Sequence, residues 1–123
     1  MLKENYDLEG ALREYLSLLK EEEYFEAHEV LEEARHPLRK VDHSLKNLVK
    51  GLINGAIAFE HLKRNRKNAA QKARRVIASF ERHKHLSKDH IESAVLFHTA
   101  CKKIESLKLD HKKVFDIISI QGQ

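Results

Sequence analysis

The chain is predicted to fold as a single all-α domain, a compact antiparallel bundle of five to six helices. Apolar side chains recur at intervals of three and four residues along most of its length. One Pro and four Gly are all that interrupt the pattern. Leu, Ala, Glu, Lys and Arg, which favour helix over strand, dominate the composition. With 123 residues and 41% hydrophobic content, there is enough material for one core and too little for two ordinary domains.

In order along the chain, Leu8, Leu12, Tyr15, Leu16 and Leu19 predict a first helix over residues 6–20. Tyr24, Ala27, Leu31 and Ala34 predict a second from Tyr24 to Arg35. Pro37 should close it, because its ring disfavours helix at the preceding residue and leaves His36 outside regular geometry. Asp42 or Ser44 offers a cap for a third helix whose inward face is Leu45, Leu48, Val49, Leu52, Ile53, Ala56 and Phe59. Around Gly51, Gly55, Ala56 and Ala58 that helix is apolar or small on nearly every side, which marks it as the central, most buried one. Asn65 or Asn68 starts a fourth helix with Ala69, Ala73, Val76, Ile77 and Phe80 inward, ending near Lys84 and His85. Ser87 can cap a fifth with Ile91, Ala94, Val95, His98, Cys101 and Ile104 buried, and Asp110 begins a short last helix using Val114, Phe115, Ile117 and Ile118.

Cys101 is the single cysteine, which excludes an intramolecular disulfide and the four-cysteine and two-cysteine zinc patterns, and fits a reducing cytoplasm. No long apolar stretch suggests a signal peptide or a membrane span. The net charge of +4 hides a strong asymmetry: residues 1–36 carry 11 acidic and 4 basic side chains, whereas residues 63–88 carry 10 basic and 1 acidic. Such halves attract each other within one fold or between subunits, and the basic half equally attracts phosphate.

The candidate chemistry sits in the second and third helices. At about 100° per residue, Phe25, His28, Glu29 and Glu32 fall on one side of the second helix, next to its apolar stripe. Asn47, Asn54, His61 and Asn65 form a polar line on the otherwise apolar third. If the two helices are antiparallel neighbours, His61 comes level with His28. Two imidazoles and a carboxylate, His28, Glu32 and His61, then suit zinc or ferrous iron with an open position for an acidified water, hydrolysis being the natural reaction and Glu29 the general base. Phe25, Asn54 and Asn65 would line the pocket. The same spacing equally serves a solvated helix face, and Glu60, on the apolar side, has Lys63 or Arg64 within reach for an ion pair.

These segments, Tyr24-Phe25-Glu26-Ala27-His28-Glu29-Val30-Leu31-Glu32, then Gly51 to His61 and Asn65, resemble the small helical family called domain of unknown function three-zero-nine, over residues 20–80. The family pattern is a histidine, a glutamate four residues on and an aromatic three beyond. His28 and Glu32 match it; the resemblance implies a metal role for them. Arg35 replaces the usual Trp or Tyr, and Arg64 and Asn68 replace glycines common around the Asn65 position. Arg35, one turn from Glu32, is placed to neutralise that carboxylate.

Two other readings stand beside it. Arg66, Lys67, Arg74, Arg75 and Arg82 make the helix at 66–85 basic enough to bind nucleic acid or an acidic partner, although no glycine-rich phosphate loop or stacking aromatic motif accompanies them. A non-catalytic homodimer, joining acidic and basic halves, is the third. His83, His85 and His90 cluster around the turn between the fourth and fifth helices, a further candidate metal site, although His-x-His occurs far more often without metal.

Overall fold

The computed structural model describes residues 3–40, 45–88 and 94–115, with side chains from Leu8 onward except that of Lys88. Among the described residues six α-helices follow in order: α1 (Lys3–Lys20), α2 (Tyr24–Lys40), α3 (Lys46–Arg64), α4 (Ala69–His83), α5 (Ala94–Asp110) and α6 (Lys112–Phe115), with a 3₁₀ turn at Lys84–Lys88. No strand occurs among the described residues. The fold is all-α, as the periodicity predicts.

The centre is α3, which packs on α2 along one side, on α4 along another and on α5 across a third, while α1 lies against α2 and α5. Leu48, Val49, Leu52, Ile53, Ala56 and Phe59 are buried along it. Two glycines set how near its neighbours come. A Cβ on Gly51 would stand 3.1 Å from Phe80 Cα and 3.3 Å from the Ser79 carbonyl oxygen, and one on Gly55 would stand 3.0 Å from the Ile104 side chain. From α1, the fully buried Tyr15 donates its hydroxyl to the Leu52 carbonyl oxygen at 2.6 Å, so the phenol enters the core with its polar end satisfied.

The helices α2 and α3 run antiparallel in a fixed register. Tyr24 and Phe59 rings lie 5.9 Å apart at one end, and at the other Arg35 Nε donates to the Lys46 carbonyl oxygen at 3.1 Å. Between α1 and α2 the chain reverses through Glu22, held at φ 61°. The Glu23 N–H bonds back to Leu18 and the Glu22 N–H to Leu19, satisfying the last carbonyls of α1, and Lys63 donates to the Glu22 carbonyl at 2.7 Å.

Several boundaries differ from the sequence reading. Pro37 does not end α2, which continues to Lys40 with His36 inside it and exposed. A proline inside a helix costs about 3 kcal/mol. Leu38 extends the buried stripe of Ala27, Leu31 and Ala34 by one turn, and burying a leucine returns roughly 1.5–3 kcal/mol, which offsets half or more of that cost. Asp42 and Ser44, expected as caps, lie outside the described residues; Leu45 precedes α3 and supplies no side-chain cap. Asn68 does stand before α4, in the left-handed region and without capping through its side chain.

The inward face of α5 is Phe97, Ala100, Cys101, Ile104 and Leu107, whereas Val95 is 78% exposed and His98 is also exposed. Two apolar stripes overlap on this helix, and the one containing Phe97 wins because a phenyl ring removes more apolar area from water than a valine. Ser87 is buried in the 3₁₀ turn and donates to the Lys84 carbonyl at 2.9 Å, and Ile91, expected on the buried side, lies outside the described residues. Asp110 ends α5 and does not begin the last helix. The half-buried Phe115 of α6 meets Phe59 edge-on at 5.7 Å, and Ile117 and Ile118 lie outside the described residues.

The close approach at Gly51 predicts that Gly51→Val will cost about 2 kcal/mol by overpacking against α4 backbone. Gly10→Ala in α1, where an added Cβ meets nothing within 4 Å, should gain roughly 0.5–1 kcal/mol. Urea unfolding of the two variants checks both signs. Ser79 is 5% exposed and its hydroxyl has no hydrogen-bond partner among the described residues. Ser79→Ala should therefore raise the melting temperature, with a gain of roughly 0.5–1 kcal/mol from removing an unpaired buried hydroxyl inside a helix.

Candidate functional site

Where α3 leaves the core, its side chains change from apolar to charged within one turn. Phe59 is buried, Glu60 and His61 are half-buried, and Lys63 and Arg64 are exposed. The chain then turns through Asn65 (φ 50°) and Asn68 (φ 63°), both left-handed. Asparagine tolerates that conformation better than most residues. The Ala69 N–H bonds to the Arg66 carbonyl at 2.9 Å, and α4 sets off beside α3 with its first residues facing back towards His61.

This turn and the start of α2 enclose a cleft of about 280 Å³ lined by Phe25 and His28 of α2, by Ile57, Glu60, His61 and Arg64 of α3, and by Arg66, Lys67, Ala69 and Lys72. Four of these side chains are cationic and one is a carboxylate. Arg64 Nε donates to Glu60, so that carboxylate is already engaged. Arg64 also lies over the Phe25 ring, 5.9 Å from its centroid, and the His28 ring meets Phe25 near edge-on at 4.9 Å. Phe25 is 43% exposed, an aromatic wall open to the cleft.

The two imidazoles have distinct environments. His28 donates from Nδ1 to the Phe25 carbonyl oxygen at 2.6 Å, an acceptor-only partner that fixes the proton on Nδ1 and leaves Nε2 for whatever enters. Desolvation holds the His61 pKa below the ordinary histidine value; Lys72 and Arg64 push it further down, against an opposing pull from Glu60. His61 is thus neutral at pH 7 inside a cationic cleft.

Glu32 does not join these histidines. It is exposed and lines a separate, open groove between α1 and α2, together with Glu14, Leu18, Glu26, His28, Glu29, Val30 and Glu33. His28 stands on the divide, touching both spaces. Glu29, expected as a general base, lies in this groove with the other carboxylates. Among the described residues no group of three or more His, Cys, Asp or Glu side chains is arranged to hold a metal ion. The residues present therefore do not fit the His28, Glu32, His61 centre.

Asn54 is half-buried and Asn65 exposed, and neither lines the cleft. Of the basic residues read as a nucleic-acid surface, Arg66 and Lys67 line it, Arg75 and Arg82 are exposed elsewhere on α4, and Arg74 turns inward to donate to the Val114 carbonyl at 3.3 Å. Arg35 donates its Nε to the Lys46 carbonyl of α3 and also attracts Glu32 electrostatically, in line with the sequence reading. Ile57, Ala69 and Lys72 were not signalled by motif; the pair of asparagines three apart, followed by a helical pattern, is the trace of the turn that brings them in. His83 is half-buried and His85 exposed, and His90 lies outside the described residues. Burial pushes the Cys101 thiol up to about 11, which makes it an inert core group. No described helix is long and apolar enough to cross a membrane.

A search of curated proteins and a search of solved structures each return no match to this chain. A family model described as Domain of unknown function (DUF309) matches residues 12–73, half of the chain, from the middle of α1 to the first turn of α4. Every residue that lines the cleft lies inside that span. The chain belongs to the DUF309 family.

Proposed function

We propose that this protein binds a small anionic ligand, carrying a phosphate, sulfate or carboxylate group, in the cleft between the start of α2, the end of α3 and the start of α4. The observation that carries the reading is the imbalance of charge in the lining: Arg64, Arg66, Lys67 and Lys72 face one carboxylate, Glu60, which is already bonded to Arg64. Low-dielectric walls focus such a field and raise the local concentration of anions. The backbone supports it as well, because α4 begins here without a side-chain cap, its positive end facing the same space. Phe25 and Ile57 supply an apolar wall for the remainder of the ligand, and a volume of about 280 Å³ suits a small metabolite.

His28 and His61 contribute hydrogen bonds, and His61 adds a pH response. An entering anion favours the protonated form of His61, whose pKa in the free protein is depressed by desolvation and then by Lys72. Between the free and bound values the complex holds one more proton than the free protein, so affinity rises as pH falls. Sulfate does not titrate in this range and reports the effect cleanly.

Calorimetric titration of the full chain with phenyl phosphate and with inorganic phosphate tests the proposal. Phenyl phosphate should bind more tightly than phosphate, Phe25→Ala should remove that preference, and Arg66→Glu with Lys72→Glu should weaken both at least tenfold. Sulfate affinity should be several-fold higher at pH 5.5 than at pH 7.5, with the difference shrinking in His61→Gln. Anion affinities unchanged by the double variant would overturn the reading. Uptake of one zinc or iron per chain, abolished by His28→Ala, would assign the cleft to a metal instead.

A further inference from the structure

We propose that a second copy of this chain docks on the face that carries both the cationic cleft and the acidic groove, about a two-fold axis running along the His28 divide. The groove between α1 and α2 has a volume of about 560 Å³ and is lined by Glu14, Glu26, Glu29, Glu32 and Glu33 above Leu18 and Val30. Among the described residues no salt bridge reaches any of those five carboxylates. Arg66, Lys67 and Lys72 of the cleft are equally without an ion-pair partner. Apart from an electrostatic attraction between Glu32 and Arg35, opposite charges thus lie side by side without ion pairs, with His28 as the shared boundary.

Symmetry makes that arrangement self-complementary. A two-fold axis lying in the contact plane exchanges left with right, so a surface that is positive on one side of the axis and negative on the other meets its opposite on both sides. One docking event then pairs two cationic clefts with two acidic grooves. Phe25, 43% exposed on the cleft side of the boundary, falls near the axis, where an aromatic anchor is most effective. An open head-to-tail contact between the same patches satisfies only one pair per interface, whereas the closed dimer satisfies both.

Because the contact is built mainly from exposed charge, it should be steeply salt-dependent: at roughly 0.5 M salt the Debye length falls to about 4 Å and the steering is lost. Partner carboxylates and a free anion would compete for the same cations, but docking does not require the ligand reading to hold.

Sedimentation velocity of the full chain at micromolar concentrations tests the proposal. A dimer is expected in low salt, dissociating as salt rises. Arg66→Glu with Lys72→Glu should leave a monomer, and Glu29→Lys with Glu33→Lys should do the same. All four positions are exposed, so circular dichroism should show both variants folded. Mixed in equal amounts, the two variants should form a dimer containing one of each, because every patch then meets its opposite again. A wild-type chain that stays monomeric in low salt, a dimer indifferent to both variants, a mixture that does not associate, or growth beyond two copies would each overturn it. The Glu29→Lys, Glu33→Lys variant keeps its cleft, so phenyl phosphate binding by that monomer separates this outcome from the fate of the ligand reading.

Discussion

Everything in this fold depends on α3 being touched from three directions at once. A helix in that position keeps only a narrow solvent side along its middle, at Lys50, Asn54 and Ile57, so its bulk is set by the distance to α2, α4 and α5 together. Gly51 admits the α4 backbone and Gly55 admits Ile104 of α5. Larger residues at either position would separate the helices and open voids around Leu48, Leu52 and Phe59, which are at most 1% exposed. The Tyr15 hydroxyl bonded to Leu52 fixes α1 on the same helix from across α2. Polar chemistry is consequently pushed to the end of α3, where Glu60, His61 and Arg64 emerge beside the turn into α4.

That turn converts a run of basic sequence into a concave surface. Between Arg64 and Ala69 the chain uses two left-handed asparagines, so α4 returns against α3 and does not project away from it. Arg66 and Lys67 lie in the turn and Lys72 one turn into α4, all facing the half-buried His61 and the aromatic wall of Phe25. The opposite end of α4 is treated differently. There Lys84 and Lys108 form a network with Glu81 and Glu105, and the charges of α4 and α5 neutralise one another. Partly exposed pairs of this kind are worth up to about 1 kcal/mol each; their effect is to tie α5 to the 3₁₀ turn. In the cleft at the α2 end, Arg66, Lys67 and Lys72 have no ion-pair partner among the described residues.

Helix existence, helix order and the central position of α3 were legible because each rests on local periodicity and on the unusual density of small residues from Gly51 to Ala58. The limits appear where tertiary packing decides between local options. Pro37 is a helix breaker by local rules, and the burial of Leu38 against the core offsets much of its cost. On α5, Val95 and Phe97 belong to competing stripes, and the choice depends on what α1 and α3 present to that helix. The cleft was half legible: the antiparallel neighbours that place His61 near His28 follow from short loops, but the contribution of Lys72 and Ile57 requires knowing how α4 is set by its two asparagines.

The same register explains why a spacing that suits a metal does not assemble one. Tyr24 lies beside Phe59, Phe25 beneath Arg64, and Arg35 beside Lys46, so advancing along α2 means retreating along α3. Four residues of helix are about 6 Å of rise. Glu32 therefore lies a full turn farther from His61 than His28 does, and the small extra rotation turns it towards α1. His28 and Glu32 share a helix face yet serve opposite sides of a boundary. The acidic residues of α2 collect against α1, the basic residues of the following turn collect against His61, and the charge segregation written along the chain becomes a segregation in space across one imidazole.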